Sequence, residues 1–377
     1  MKKKHKKQIT KISVLVLVAL LSFGLGAYLI AFKYPPFEFL QTSYKLVTGG
    51  YENYEKIPQT NTDVSSLISV TTNKDIIKKR NMLINYIWKG KGVPYSRLPD
   101  SIKKDIIDKR YSSLKNLESI DAITTTMDYN VNSIAYHFRP KEKNNKLVIY
   151  HQGHRGDFFL GIDTIQGLLK QGYSVVAFAM PLEGMNNLPL VNTTFGEIKL
   201  ISHSTFWLLD SNDFSSIRFF LEPIVATLNQ LEADYDSISM VGISGGGWTT
   251  QLYSAIDTRV QKSYPVAGSS PFYLQTLEPQ TSVGHYELIL SNLYDITNYL
   301  EVYILGSYGN NRSQMQIINQ YDNCCYNGIG YLTYEEYIKE TISNLGKGNF
   351  QVFSDNSHRE HKISDNALKV ILADLEN

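Results

Sequence analysis

Gly242-Ile243-Ser244-Gly245-Gly246 places one hydroxyl among four residues that leave it little lateral cover. Upstream, Ile238, Met240, Val241 and Ile243 form a short apolar run of the kind that makes a strand buried on both faces. Downstream, Trp248, Leu252, Ala255 and Ile256 recur at helical spacing. A serine at such a strand-to-helix corner is forced into strained backbone angles, and its neighbours must lack side chains where the turn presses against adjacent elements. Gly242, Gly245, Gly246 and Gly247 meet that demand. The Gly245 amide opens the helix and is expected to point at an oxyanion. The chemistry this serves is nucleophilic attack by a hydroxyl, which needs a base, an acid to orient the base, and donors for the developing negative charge.

The chain must supply a sheet to carry that turn. From about residue 126 strands and helices alternate, which predicts a mostly parallel sheet. Expected strands are 133–138 (antiparallel), 146–150, 173–180, 238–243, 260–266, 301–305 and 350–353. Helices are expected over 159–170, ending at Gly172, over 214–231, and after Ser364 as N-cap with Ala367, Leu368, Ile371, Leu372 and Leu375 inward. Residues 34–125 read as a spacer, Thr/Asn/Ser-rich over 59–73, carrying two helices. One runs over 74–88 and stops at Gly90 and Gly92. The other starts after Pro99 and directs Ile102, Ile106, Ile107 and Leu114 to a partner. The lysines of both are expected on a solvated face.

The order of strand, His151-Gln152-Gly153-His154 loop, serine elbow, late acid and terminal histidine resembles the α/β-hydrolase superfamily over residues 126–377. The Ser244-Gly245-Gly246-Gly247-Trp248 elbow is similar to that of extracytoplasmic esterase-like and prolyl-oligopeptidase-like members. The resemblance implies an α/β-hydrolase fold, a mostly parallel central sheet flanked by helices. It also implies a triad in the chain order serine, acid, histidine. Carried onto this chain, the nucleophile is Ser244. The base is His361, set a few residues before the terminal helix, with His358 as the alternate. The acid is Asp322, with Asp355 as fallback; a long stretch separates Asp322 from the strand expected at 301–305. The second oxyanion donor falls in Gly153-His154-Arg155, from the amide of His154 or Arg155, with Gly153 letting the backbone approach. His203, Phe206 and Trp207 are candidates for the substrate cleft or for plain core.

Composition narrows the function classes. A net charge of +1 with 19% charged residues gives no electrostatic footprint for nucleic acid. The two cysteines, Cys324 and Cys325, are adjacent, so they hold no distant elements together and lack a zinc-ligand spacing. They form either a vicinal disulfide or two thiols. His151 and His154 offer zinc-ligand chemistry, but no third ligand is evident nearby, so neither metal nor cofactor is expected.

Lys2, Lys3, Lys4, Lys6, Lys7 and Lys11 precede residues 12–32, which carry no charged residue. That length suits a bilayer span, and the lysines predict a cytoplasmic N-terminus with the remainder outside. A cleavable signal peptide, with Gly24-Leu25-Gly26 near the cleavage point and a secreted product, is the alternative. Taken together, the expectation is a membrane-anchored serine hydrolase acting on an ester-bearing substrate. A prolyl-oligopeptidase-like peptidase is the other enzymatic reading, disfavoured because no propeller-like repeat precedes residue 126. A catalytically silent binding protein on the same fold is the third.

Overall fold

The computed structural model describes residues 16–26, 28, 42–45, 47, 50–277 and 284–377. The chain divides into two units, Met1–Asn53 and Tyr54–Asn377. In the first, residues 16–26, 28, 42–45 and 47 are helical, and the remainder of the apolar stretch expected to span a membrane lies outside the described residues. Among the described residues no helix is long and apolar enough to cross a membrane.

The second unit is built on a nine-stranded sheet, as far as the described residues go, in the order β1-β2-β3-β5-β4-β8-β9-β10-β11. The strands are β1 (Ser101–Lys103), β2 (Leu117–Thr126), β3 (Asn132–Pro140), β4 (Lys146–His151), β5 (Ser174–Phe178), β8 (Ser237–Ile243), β9 (Val260–Val266), β10 (Ser313–Asn319) and β11 (Asn349–Asp355). β6 (Leu190–Thr193) and β7 (Gly196–Lys199) pair as a separate hairpin. The first three strands run antiparallel to their neighbours, and β5, β4, β8, β9, β10 and β11 run parallel. Parallel strands need covering on both faces, which is why Val148, Val175, Val176, Met240, Val241 and Ile317 are all fully buried. The helices are α1 (Asn73–Trp88), α2 (Ile162–Lys170), α3 (Arg218–Leu231), α4 (Gly245–Ile256), α5 (Tyr299–Ser307), α6 (Glu335–Leu345) and α7 (Asp365–Glu376). They divide the core in two, with α1, α3, α4, α5 and α6 contributing to one cluster and α2 and α7 to the other.

Register aligns the carboxyl ends of the parallel strands. His151 lies opposite Gly242, Ile243 opposite Val266, and Asn319 opposite Asp355. The loops that leave these strands therefore rise from one edge of the sheet, where doubly covered α/β sheets bind their ligands.

Three expectations differ from the structure. The strand expected at 301–305 is helix α5, and the strand stands at Ser313–Asn319 instead. A short, mostly apolar run suits a buried helix as well as a buried strand. Asn298 decides it, because its side chain caps α5 by accepting from the Glu301 amide at 3.1 Å. β10 carries Gln314 and Gln316 in its interior, which conceals it. Second, the helix expected after Pro99 is absent. Ser101–Lys103 is an edge strand facing Thr124–Ala122, and only Lys109–Tyr111 makes a helical turn. Pairing along β2 outweighs weak helical spacing there. Third, residues 54–125 are not a spacer, since the boundary expected at 126 falls inside the β2–β3 hairpin.

α1 is expected at 74–88 and found at Asn73–Trp88, started by a Thr72–Asp75 capping box. Its Ile76, Leu83, Ile87 and Trp88 are buried in the main core. Lys79, expected in solvent, turns inward to Glu301 Oε2 at 2.8 Å and the Ile296 carbonyl at 2.8 Å. Arg80 donates to the carbonyls of Ala255 and Leu305, tying α1 to α4 and α5. At the far edge, Glu335 of α6 accepts the Val352 amide of β11 at 3.2 Å.

Removing residues 1–125 therefore strips two strands and a core helix, and the remainder is expected to be insoluble; a chain starting at Tyr54 is expected to fold, as circular dichroism and thermal melting would show. Leu83→Ala should cost about 2–5 kcal/mol in chemical denaturation. Burial holds His137 and His151 neutral, each pushed down to about 4. The unfolded chain takes up these protons first, so stability is full above about 6.5 and lost as pH falls toward about 4, by up to roughly 3 kcal/mol per histidine. Urea midpoints measured between pH 7 and 4 check this.

Candidate active site

Ser244 sits between β8 and α4 with φ 58° and ψ −124°. This is a sparsely populated conformation for a residue with a side chain, costing on the order of 1–3 kcal/mol. Two backbone bonds hold it there. The Ser244 amide donates to Val266 O at 2.9 Å, and its carbonyl accepts from the Trp248 amide at 2.9 Å. The turn closes so tightly that a Cβ on Gly242 would stand 2.2 Å from Gly246 O. α4 is buried along its whole length, so the turn has no room to relax.

The loop after β4 presses on the same turn. A Cβ on Gly153 would lie 2.7 Å from Ser244 Cβ and 2.7 Å from Ile243 O, so this position needs glycine. The segment expected to give a second oxyanion donor is thus in contact with the serine. Its next residues are His154 and Arg155, the latter in the left-handed region at φ 65°.

Asp322 lies three positions beyond the end of β10 at Asn319, so the long separation expected from a strand at 301–305 does not exist. Its carboxylate is fully buried. Oδ1 accepts the Cys324 amide at 2.6 Å, and Oδ2 accepts from Asn319 Nδ2 at 3.4 Å and meets His361 Nδ1 at 2.6 Å. A carboxylate accepts only, so His361 donates from Nδ1 and its basic lone pair is on Nε2 in the neutral ring. That Nε2 is buried and has no hydrogen-bond partner among the described residues. Asn319 steadies the loop from the other side, donating to the Lys362 carbonyl at 2.9 Å.

The alternate pair is built differently. His358 Nε2 stands 3.4 Å from Asp355 Oδ2. Asp355 is occupied as an acceptor: Oδ1 takes the Ser357 amide and hydroxyl at 3.0 and 2.7 Å and Asn366 Nδ2 at 3.1 Å, and Oδ2 takes the Ser364 hydroxyl. Burial alone would raise its pKa, but His358 beside it and these donors hold it well below the usual carboxylate range. Asp355 braces the start of α7, and Asp322 is the carboxylate in short contact with an imidazole.

Cys324 and Cys325 form a vicinal disulfide, one of the two states left open by sequence, and their sulfurs lie within 4.8 Å of a His361 nitrogen. His151 is buried away from the loop, with Nδ1 2.9 Å from Gln152 O and its ring stacked on Phe178, so it does not join His154 as a ligand. Of the cleft candidates, Phe206 and His203 are buried and stacked on one another, while Trp207 is half exposed against Tyr286.

Sequence reasoning missed Glu287. It lies in a helical turn, Tyr286–Ile289, with its carboxylate fully buried, Oε1 2.7 Å from His154 Nε2 and Oε2 3.1 Å from His203 Nδ1. Burial would raise its pKa, but His203 and His154 hold it well below the usual range. Burial would lower that of His203, and Glu287 outweighs it, leaving His203 raised. No motif marks a lone glutamate 133 residues from its partner. A cavity of about 320 Å³ is lined by Asn145, Ser174 and His137 on the side where β4 and β5 begin, away from this chemistry.

No protein-family model and no curated protein sequence matches the chain. Among solved structures it is similar to a glucuronoyl esterase from Solibacter usitatus, at 12% identity and TM-score 0.54 over 84% of this chain and 97% of that one. It also matches an acetyl xylan esterase from Paenibacillus sp. R4, at 13% identity and TM-score 0.49 over 87% and 98%. A third is the Pyrococcus furiosus esterase Pf2001, at 15% identity and TM-score 0.45 over 74% and 95%. Together with the parallel sheet, the glucuronoyl esterase match establishes that the chain has the α/β-hydrolase fold.

The two histidine–carboxylate pairs give opposite expectations for any hydrolytic activity. Asp322→Asn and His361→Ala should each lower kcat by about 10⁴-fold, whereas His358→Ala should change it by less than about tenfold. Steady-state kinetics on the purified variants, alongside melting curves, separate them.

Proposed function

We propose that the chain is a serine carboxylic-ester hydrolase working through an acyl-enzyme on Ser244. The observation that carries this reading is the 2.6 Å bond between Asp322 and His361 Nδ1, which leaves Nε2 as the basic nitrogen on the sheet edge that presents Ser244. In this mechanism Nε2 takes the Ser244 proton as Oγ attacks the ester carbonyl. The Gly245 amide, with that of His154 or Arg155, receives the oxyanion. The imidazolium, its charge offset by Asp322, returns the proton to the departing alcohol. Water activated by the same nitrogen then releases the acid and frees the serine.

The glucuronoyl esterase of known structure that shares this fold supports an ester over an amide. A glucuronoyl ester is accordingly one arm of the substrate panel, beside short-chain p-nitrophenyl esters and peptide p-nitroanilides. We also propose that the uncharged residues 12–32, behind six lysines, tether the hydrolase outside the cytoplasmic membrane. Secretion after cleavage would appear as a mature N-terminus beyond Gly26.

A fluorophosphonate probe should label the intact chain and fail on Ser244→Ala, whose kcat should fall by about four to six orders of magnitude. Equal labelling of both, or turnover of anilides with none of esters, would overturn the reading. Membrane fractionation with external protease should find the full-length chain in the membrane and its catalytic unit digested from outside.

A further inference from the structure

The cluster of His154, His203 and Glu287 is absorbed by neither the triad nor the core. Its members come from three separate segments: the loop after β4, the turn His203–Leu208, and the turn Tyr286–Ile289. His203 Nε2 lies 2.8 Å from Pro181 O, a group that only accepts, so Nε2 carries hydrogen. Nδ1 is thereby turned toward Glu287 Oε2 at 3.1 Å and His154 Nε2 at 3.3 Å. A lone pair on that nitrogen cannot face a carboxylate unaided, so either a proton or a metal cation lies between them. The carboxylate is fully buried, and its ion-pair partners among the described residues are these two histidines, with no lysine or arginine.

We infer that His154 Nε2, His203 Nδ1 and Glu287 form a binding site for one divalent cation of the zinc class. Two imidazoles and a carboxylate are the donor set that zinc takes while keeping a fourth position open. Bonds of about 2.0–2.1 Å in a tetrahedron place ligand atoms roughly 3.3 Å apart. The two contacts of His203, at 3.3 and 3.1 Å, are close to that spacing, and the 2.7 Å contact of His154 with Glu287 needs only a small opening. The Pro181 carbonyl supplies the outer hydrogen bond that fixes a ligating histidine's tautomer. Phe206 stacks on His203, and Phe220 meets it edge-on, which shields one side of the site from water. His154 is the partly exposed member, so the fourth position opens on its side.

The site adjoins the nucleophile turn, for a Cβ on Gly245 would lie 2.6 Å from His154 Cε1. A cation there would fix the His154 ring, and the backbone of its loop, against Ser244. The assignment stands on side-chain geometry alone and is independent of whether Ser244 is a nucleophile.

The test is a titration of the full chain in detergent after EDTA dialysis, with Zn²⁺ by calorimetry and Co²⁺ by visible absorption. The expected result is about one equivalent bound at micromolar affinity or tighter, with tetrahedral Co²⁺ bands and a raised melting temperature. Glu287→Gln and His203→Ala should weaken binding by about 100-fold or more. His154→Ala, at a partly exposed position, gives the same comparison if the buried variants do not fold. Failure of the wild-type chain to bind at millimolar metal, or affinity unchanged in His154→Ala, would overturn the site and leave a cluster held by protons.

Discussion

The strained backbone at Ser244 is the constraint on which the remaining site geometry depends. A positive φ at a residue with a side chain persists only where its surroundings over-determine it, and here they do. β8 is clamped between β4 and β9, α4 is buried throughout, and the Val266 carbonyl fixes the serine amide. The loop after β4 passes with Gly153 flush against the serine. The position of His154 follows from that passage, and so does the meeting of His154 with Glu287.

Asp322 and His361 are brought together by sheet register. Asn319 faces Asp355 across β10 and β11, so the loops carrying Asp322 and His361 leave from adjacent strand ends. The same register explains why two histidine–carboxylate pairs occur so close together. Asp355 ends β11 and braces the start of α7, while Asp322, one strand further in, holds His361. The two pairs use the same two residue types, and what distinguishes them is the number of competing donors on each carboxylate.

Much of this was legible from residue order. The serine turn, the strands at β4, β8, β9 and β11 and the capped last helix all come from local signals: apolar runs of strand length, glycines where backbones touch, and a serine before a helical period. The elements that sequence misplaced were decided by distant partners. Tyr299–Ser307 is buried on every side and mostly apolar around its circumference, which erases the periodicity that separates helix from strand. Ser101–Lys103 is extended because β2 lies beside it. Glu287 and Asn319 act through residues from 3 to 133 positions away, and neither belongs to a motif.

The two margins of the sheet have a consequence for how molecules of this chain meet one another. An open strand margin invites a second chain to add its own strand, and long flat ones aggregate. β1 is only three residues long, ends on Lys103 and is followed by Lys104, too short and too charged to template an addition. On the opposite margin the Glu335 carboxylate occupies the Val352 amide that a newcomer would need. Such a molecule can be crowded at high density on a surface without stitching its sheets into a continuous ribbon.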